Sequence, residues 1–155
     1  MVSHLNKKNS PIMVDIGGKN ITQRIAEAEG EVIFDKNSFK KIESLKSKKG
    51  SIKNIAIIAG IMGAKETSKL IPLCHNIPID AVTIEIIKNI KKNSMKVRAI
   101  VKTSSKTGVE MEALTAVSIS CLTIYDMCKY LNKSIKINNI KLISKKGGKS
   151  GFFKI

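Results

Sequence analysis

Residues 106–131 read KTGVEMEALTAVSISCLTIYDMCKYL, and this stretch decides the fold because it carries a long helical pattern. Thr107 and Glu110 fit the T-x-x-E capping box, in which the two side chains close the first turn of a helix. The apolar residues at helical spacing are Leu114, Val117, Cys121, Leu122, Tyr125 and Cys128. We therefore predict a helix from Thr107 to about Leu131 with an apolar stripe.

β-Structure is predicted on both sides of this helix. Before it, residues 79–90 and 95–103 alternate between apolar and polar side chains, and the polar stretch 91–94 joins them. That pattern predicts a β-hairpin. After the helix, residues 136–144 are predicted to form a last strand.

The chain before residue 50 predicts one strand and one helix. Residues 29–35 place Val32 and Phe34 on one face, which is typical of a short strand. A helix to about residue 46 is predicted next, and its apolar residues are Phe39, Ile42 and Leu45. Its candidate N-caps are Asp35, Asn37 and Ser38.

A second helix is predicted from Ser51, a favourable N-cap, to about Lys69. It is apolar on nearly all sides, through Ile52, Ile55, Ile57, Ile58, Ile61 and Met62. A helix of this kind is expected to be buried. Because a glycine inside an exposed helix costs about 1 kcal/mol, Gly60 and Gly63 predict close packing against another helix.

The order strand, helices, strand, strand, helix, strand predicts an α+β fold. It is the ferredoxin-like, split βαβ order, an antiparallel sheet with helices packed on one face. At 155 residues the chain has the size of one domain. We predict a flexible N-terminal arm over residues 1–12 and a single domain over residues 13–155.

The charge of the chain points to an anionic partner without identifying it. Lys and Arg number 28 and Asp and Glu number 12, a net charge of +16. Only Arg24 and Arg98 are arginines, however, and the many Lys, Ile and Asn residues are what AT-rich codon usage produces. Because Arg is the side chain that reads guanine edges and clamps phosphates, its scarcity argues against a nucleic-acid partner.

Composition also predicts a cytoplasmic protein without a membrane anchor. The longest apolar run, residues 55–64, is half of the roughly 20 residues that span a bilayer. The first 20 residues contain no apolar export signal. The three cysteines are odd in number and form no C-x-x-C pair, which favours reduced thiols.

Residues 145–151, KKGGKSG, form a basic, glycine-rich stretch with two open interpretations. Glycines let backbone amides approach a phosphate, and lysines neutralise it. The stretch is not a Walker A loop, because Ile143 stands where that motif needs glycine and no helix can follow. The alternative is a flexible basic tail.

Cys74 and His75 are adjacent, but neighbours in a turn seldom aim at each other as nucleophile and base. His75 is therefore interpreted as a substrate contact or a turn residue. No spacing of His, Cys, Asp and Glu is typical of a metal site, so no metal is predicted.

Acidic residues stand near both ends of the long helix. Glu110 and Glu112 are explained by helix capping and the helix dipole alone. Asp126 and Lys129, three residues apart, suit a surface ion pair. They also stand beside Tyr125 and Cys128 on a largely apolar helix, where charges need a reason.

Five strings resemble the cyclic pyranopterin monophosphate synthase family, also called molybdenum cofactor biosynthesis protein C. The strings are MVD (13–15), IPLCH (71–75), KTGVEMEAL (106–114), LTIYDMCK (122–129) and KKGGKSG (145–151). The resemblance spans residues 13–153, nearly the whole chain.

This resemblance implies a lyase that converts 3′,8-cyclo-7,8-dihydro-GTP to cyclic pyranopterin monophosphate and releases pyrophosphate. General acid and base work falls to Lys49 and Lys129, with Asp126 as the neighbouring catalytic carboxylate. The implied substrate-binding residues are Leu73, Cys74, His75, Glu110, Met111 and Glu112, with Lys65 and Lys145 near the phosphates. A lysine can serve in these proton transfers only if its pKa falls toward neutrality. If Lys49, Lys129 and Lys145 cluster, like-charge repulsion is expected to lower that pKa, while a nearby Asp126 opposes the shift and holds the side chain in place.

Four positions depart from the family pattern. Ser51 replaces an Asp, and both residues cap helices well. Ile57 stands where an Arg is common, Glu66 replaces a basic residue, and Asn76 replaces a Pro. Ile57 and Glu66 together remove two positive charges from the expected neighbourhood of the triphosphate.

The resemblance also implies partners. Family members are homohexamers, trimers of dimers, with the site at a subunit interface, and their substrate is made by a radical GTP cyclase. The small-molecule substrate is a nucleotide triphosphate. No nucleic acid, membrane or cofactor is implied, although Mg²⁺ could accompany the phosphates.

Two other functions fit the predicted fold. An RNA-binding module could use the basic charge and the same element order, but residues 95–103 contain none of the aromatic side chains on which such modules stack bases. A catalytically inactive assembly partner is the third hypothesis, because Ile57 and Glu66 depart from the family pattern.

Overall fold

The computed structural model describes residues 5–6, 8–44, 51–148 and 151–155. Its elements are β1 (Thr22–Ile33), α1 (Lys36–Ser44), α2 (Ile52–Lys65), α3 (Thr67–Leu70), β2 (Ala81–Asn89), β3 (Ser94–Ser105), α4 (Glu110–Cys128), β4 (Lys136–Lys146) and β5 (Phe152–Lys154). The end of the first predicted helix, including Leu45, lies outside the described residues.

The five strands form one antiparallel sheet in the order β2-β3-β1-β4-β5. α4 packs on β1, β3 and β4, and α2 packs on β2 and α4. The predicted α+β, ferredoxin-like fold, an antiparallel sheet with helices on one face, is confirmed. β5 is an additional edge strand that the sequence pattern did not predict.

β1 is longer than predicted, because it begins at Thr22 rather than at residue 29. Its added residues include Ala26, Glu27 and Ala28, which are weak strand formers by themselves. Contacts with distant parts of the chain compensate for this weak strand preference. On the open face Glu27 accepts a 2.7 Å hydrogen bond from Arg98 on β3, and on the helix face a Cβ added to Gly30 would lie 2.7 Å from Val117 Cγ1.

The predicted close packing of α2 against another helix is confirmed. A Cβ added to Gly60 would lie 2.8 Å from the carbonyl oxygen of Ala116 on α4. A Cβ added to Gly63 would lie 2.7 Å from Ile119 Cγ1 on the same helix. Because real side chains almost never approach so closely, both glycines are required for the approach of α2 to α4.

α2 was predicted to be buried, and this prediction is wrong for one of its faces, which is exposed in the single chain. Ile58 is 59% exposed and Met62 is 61% exposed. The helix is also shorter than predicted: it ends at Lys65, and α3 begins at Thr67. The Thr67 hydroxyl donates a 2.9 Å hydrogen bond to the carbonyl of Ala64, which stabilises this break.

Two predicted helix caps are present. Asp35, one of three candidates, caps α1, because its Oδ1 accepts hydrogen bonds of 3.0 Å from the backbone N–H groups of Asn37 and Ser38. The hydrogen bonds from Ser38 hold the pKa of Asp35 well below its usual range. Ser51 caps α2, with its Oγ 3.5 Å from the backbone nitrogen of Asn54.

The capping box predicted at the start of α4 is wrong. α4 begins at Glu110, and Val109 precedes it without a side-chain cap. Thr107 lies outside the helix, and the Glu110 carboxylate, which would complete the box, instead pairs with Lys145 on β4 at 2.9 Å. The helix ends at Cys128, three residues before the predicted end.

In the apolar stripe of α4, Val117, Cys121 and Cys128 are buried and Leu114 and Tyr125 are partly buried against the core, whereas Leu122 is 54% exposed. By length and composition α4 could cross a bilayer, but half of that stretch is buried inside the domain, so it is the core helix of this fold. Cys121 and Cys128 are buried free thiols, as the stripe predicts. Burial raises their pKa values to about 12 and about 11.

Candidate functional site

Two adjoining cavities lie at the N-terminal end of α4. The first, called here the α4 pocket, has a volume of about 240 Å³ and is lined by Leu73, Cys74, His75, Ile77, Thr107, Gly108, Glu110, Met111 and Glu112. The second, the basic pocket, has a volume of about 210 Å³ and is lined by Lys19, Arg24, Ile25, Lys106, Thr107, Gly108, Val109, Glu110, Lys145, Lys146 and Gly147. The shared lining residues make the two cavities neighbours.

An ion pair stands where the two pockets meet. Lys145 Nζ lies 2.9 Å from Glu110 Oε1, and each side chain is about one-third exposed. Gly108 makes this pair possible, because a Cβ at that position would overlap the Glu110 carboxylate. β4 carries Lys145 to this point through its pairing with Ala26 on β1. Glu110 thus holds the Lys145 ammonium group at the boundary between the pockets, and Lys145 compensates the Glu110 charge there.

The α4 pocket has an acidic, desolvated wall. Glu112 is 5% exposed, and its burial, followed by the nearby charge of Glu110, raises its pKa. Burial and then the charge of Glu112 raise the pKa of the Cys74 thiol. Cys74 is therefore a protonated thiol, not an activated nucleophile.

His75 faces the N-terminal segment rather than Cys74. Its Nε2 lies 2.7 Å from the carbonyl oxygen of Val14. Because a carbonyl only accepts hydrogen bonds, Nε2 carries the proton and Nδ1 is the second polar atom of a ring that lines the α4 pocket. A Cys74–His75 nucleophile and base pair is thus absent, in agreement with the sequence argument.

The basic pocket contains five cationic side chains and one carboxylate. Arg24 is fixed by its hydrogen bonds to backbone carbonyls: Nε donates to Ser105 at 3.0 Å and Nη2 to Lys106 at 3.2 Å. Gly148 lies against the Arg24 guanidinium, with φ of +75°, a conformation that favours glycine. Such a concentration of fixed positive charge suits a polyphosphate.

The basic stretch 145–151 is only partly the flexible tail that one interpretation proposed. Lys145 and Lys146 belong to β4, and residues 152–154 form β5, which pairs with β4. Gly147 has φ of +105° and belongs to the turn that follows β4. Lys149 and Ser150 lie outside the described residues.

Sequence reasoning assigned no role to three cations of the basic pocket, Lys19, Arg24 and Lys106, whereas Lys146 belongs to the basic stretch that it singled out. Two of these three are ordinary members of a lysine-rich composition. The exception is Arg24, one of only two arginines in the chain. That scarcity was a usable signal that Arg24 has a specific role.

The predicted catalytic pair lies at the other end of α4. Asp126 and Lys129 form a 2.7 Å ion pair whose side chains are 71% and 58% exposed. Glu110 and Asp126 are 16 residues apart on α4, or about 24 Å along the helix axis. Within one chain, this pair does not reach either pocket.

The expected lysine cluster is therefore not formed inside one chain. The hydrogen bond with Asp126, followed by the Asp126 charge, raises the pKa of Lys129 rather than lowering it. Lys145 is at the opposite end of α4. Lys49 lies outside the described residues.

Lys65 lines neither pocket. It borders a third cavity of about 260 Å³ together with Ile61, Ile77, Ile79, Asp80, Ala81 and Val82. Ile77 also lines the α4 pocket, so the two cavities are neighbours. Beside it, Glu66 pairs with Lys69 at 2.6 Å, so the charge that departs from the family pattern is locally compensated.

Metal-ligand geometry is not seen in the described ranges, where no three His, Cys, Asp or Glu side chains converge. The acidic and basic groups at the N-terminal end of α4 instead form two contiguous environments. One is desolvated and accepts hydrogen bonds through Glu112, and the other is cationic. Together they suit a ligand with a polar ring and a phosphate chain.

Comparisons with known proteins agree with this description. The profile of the MoaC family matches residues 13–148. The cyclic pyranopterin monophosphate synthase of Helicobacter pylori (strain Shi470) is 52% identical over 150 residues, which cover 97% of this chain and 95% of that protein. The protein of the same name from Campylobacter jejuni subsp. jejuni serotype O:23/36 (strain 81-176) is 51% identical over 152 residues, covering 98% and 97%.

Proposed function

This chain belongs to the MoaC family, and from that premise we propose that it converts 3′,8-cyclo-7,8-dihydro-GTP to cyclic pyranopterin monophosphate with release of pyrophosphate. The chain is thus an enzyme of molybdenum cofactor biosynthesis, as its family membership indicates. The observation that carries the proposed reaction is the contact between the α4 pocket and the basic pocket at the Glu110–Lys145 pair.

The two pockets divide the substrate between them. The α4 pocket offers acceptors, the Glu112 carboxylate and His75 Nδ1, to the N–H donors of the purine-derived ring. The basic pocket offers Arg24, Lys106 and its other lysines to the phosphates. Pyrophosphate departs with negative charge, and cations already in position stabilise that charge as it develops.

Proton transfers on the ring fall to the lysines. Because Asp126 raises the pKa of Lys129, Lys129 carries a proton at neutral pH, and we assign it the role of general acid. Lys49 is then the base, and Asp126 holds the Lys129 ammonium group in place through their 2.7 Å contact. Each positioned acid or base contributes about 10²- to 10⁴-fold to such a step.

A second copy of the chain supplies the lysine and carboxylate that one copy cannot bring to the pocket. The distance of about 24 Å along α4 separates Asp126 from Glu110 in one chain. Exposed apolar side chains on both helices, Ile58, Met62 and Leu122, support an oligomer, which we take to be the homohexamer of the family. The site then lies between subunits.

The reaction also places the protein in its pathway and in the cell. Its substrate must come from a radical enzyme that cyclises GTP. Cys74, Cys121 and Cys128 are free thiols, which supports a reducing, cytoplasmic location.

The test is direct. Purified protein is incubated with the cyclised GTP intermediate, and pyrophosphate and cyclic pyranopterin are measured. We expect both products to form together. Absence of product while a reference synthase turns over would refute the enzymatic proposal, and RNA binding or an assembly role would then be measured instead.

Complementation tests the shared site. His75→Ala disables the α4 pocket and Lys129→Ala removes the acid, so each variant alone should be inactive. In a dimer that shares its sites, mixed subunits contain one intact site, so equal co-expression should restore about a quarter of wild-type activity. If all functional residues acted within one chain, the mixture would stay inactive.

A further inference from the structure

The string Met13-Val14-Asp15 is part of the family resemblance, and the proposed chemistry gives it no role. These residues belong to a segment, residues 13–19, that precedes β1 and is not part of the sheet. Val14 and Ile16 are half-buried, whereas Met13, Asp15 and the two glycines that follow are exposed. Burial of apolar side chains alone therefore does not explain the position of residues 13–19.

One end of this segment contacts the α4 pocket. The backbone carbonyl of Val14 accepts a 2.7 Å hydrogen bond from His75 Nε2. This bond fixes both the orientation of the imidazole ring and the nitrogen that carries its proton. Val14 thus determines which atom His75 presents to a ligand.

The other end contacts the basic pocket. Asp15 Oδ1 accepts a 2.7 Å hydrogen bond from the backbone N–H of Gly17, and the N–H of Lys19 donates to the carbonyl of Ile16 at 3.1 Å. The turn directs the Gly17 carbonyl to Lys106, whose Nζ donates to it at 2.7 Å. Lys19 and Lys106 both line the basic pocket.

We propose that Asp15 is a positioning residue for phosphate binding, and that the turn it closes holds Lys19 and Lys106 in the basic pocket while Val14 holds His75. The proposal rests on the proposed function for the identity of the substrate. Residues 13–19 set the distance between the ring-binding and phosphate-binding groups, since they are bonded to both.

The sign of the expected effect separates this role from simple electrostatics. Asp15 is a negative charge near a cationic pocket, so its removal would strengthen polyanion binding if only charge mattered. If Asp15 acts by closing the turn, its removal weakens binding instead. Asn has the same length as Asp and retains an oxygen acceptor for the Gly17 N–H. Glu retains the negative charge, but its longer side chain does not place an oxygen at the position of Asp15 Oδ1.

The experiment measures binding of inorganic tripolyphosphate by calorimetry and steady-state kinetics with the cyclised GTP intermediate. Asp15→Ala and Asp15→Glu should each weaken tripolyphosphate binding about five- to tenfold, the effect of one or two hydrogen bonds, and raise KM more than they lower kcat. Asp15→Asn should bind at least as tightly as the wild type.

Asn6→Ala is the matched control. Asn6 Oδ1 accepts hydrogen bonds from the backbone N–H groups of Lys8 at 2.8 Å and Ser10 at 2.9 Å, so it closes a similar turn that precedes residues 13–19 and lines neither pocket. Its loss should leave tripolyphosphate binding unchanged. Unchanged or tighter binding by Asp15→Ala would overturn the proposal.

The tripolyphosphate measurement requires no turnover. If the wild-type protein forms no product, the proposed function fails, while the ranking of the Asp15 variants still decides the positioning role. Asp15 is exposed, so its variants are expected to fold. A ranking in which Asp15→Ala and Asp15→Asn both bind tripolyphosphate more tightly than the wild type, while Asp15→Glu retains wild-type affinity, would show that charge, not the turn, matters.

Discussion

The two ends of α4 carry similar residues in opposite environments. At the N-terminal end Glu112 is almost fully buried, and Glu110 is paired with Lys145 from a strand. At the C-terminal end Asp126 and Lys129 are mostly exposed and pair only one helical turn apart. Both ends contain groups with raised pKa values, but burial is the main cause at Glu112 and a paired carboxylate is the cause at Lys129.

This difference shows which part of the site one chain completes. The N-terminal end is formed by contacts between distant parts of one chain, so its geometry is present before any partner binds. The C-terminal end presents charges to solvent, where an ion pair contributes little to stability. Because these charges do little for the fold and cannot reach the pocket in their own chain, we propose that they act in a neighbouring subunit.

The largest expected effect tests the exposed end. Lys129→Ala should lower kcat by about 10²- to 10⁴-fold, because the proposed general acid is lost. Its melting temperature should stay at the wild-type value, because the side chain is exposed. Lys133→Ala, at the same end of the molecule, is the control and should keep wild-type turnover. Near-wild-type kcat for Lys129→Ala would mean that the acid lies elsewhere.

The next effect tests the boundary between the two pockets. Lys145→Met removes a cation from the basic pocket and leaves Glu110 without its partner. We expect KM for the cyclised GTP intermediate to rise about 10- to 100-fold, as for loss of a charge-assisted hydrogen bond. Lys145→Arg should recover part of this loss. Equal KM values for Lys145→Met and the wild type would separate Lys145 from phosphate binding.

The smallest effect tests the buried end through stability. The ordinary pKa of Glu112 is 4.5, and its pKa in the folded protein is raised. The folded state therefore binds this proton more tightly than the unfolded state. Its stabilising contribution is complete below pH 4.5 and is lost as the pH rises through the folded pKa.

Glu112→Gln removes this titration. We expect its melting temperature to exceed that of the wild type by a few degrees at about pH 8, with a smaller difference at about pH 5. Thermal unfolding monitored by circular dichroism at both values gives the comparison. A difference that is independent of pH would mean that burial of Glu112 does not oppose its ionisation.

Local patterns in the sequence predicted most of the fold. The hairpin, the core stripe of α4 and the glycine contact between α2 and α4 follow from periodicity and from the size of side chains. Elements that depend on distant partners were missed. β1 was predicted too short, because alanine and glutamate carry weak strand signals, and β5 was not predicted, because it is only three residues long.

The site divides in the same way. The strings in the sequence identify Leu73, Cys74, His75, Glu110, Met111 and Glu112, and the structure brings all six to one pocket. No pattern indicated that Lys19, Arg24 and Lys106 would join Lys145. Arg24 and Lys106 contact backbone carbonyls 81 to 89 residues away along the chain.

The sequence by itself determined the family to which the chain belongs and most of its helices and strands, because these depend on residue type and on spacing over a few positions. Only the tertiary structure decided that Glu110 pairs with Lys145 instead of capping α4, and that Asp126 and Lys129 lie far from the pocket in their own chain. The physical reason is that sheet register and helix length set distances between residues remote in sequence. Those distances determine where charges meet.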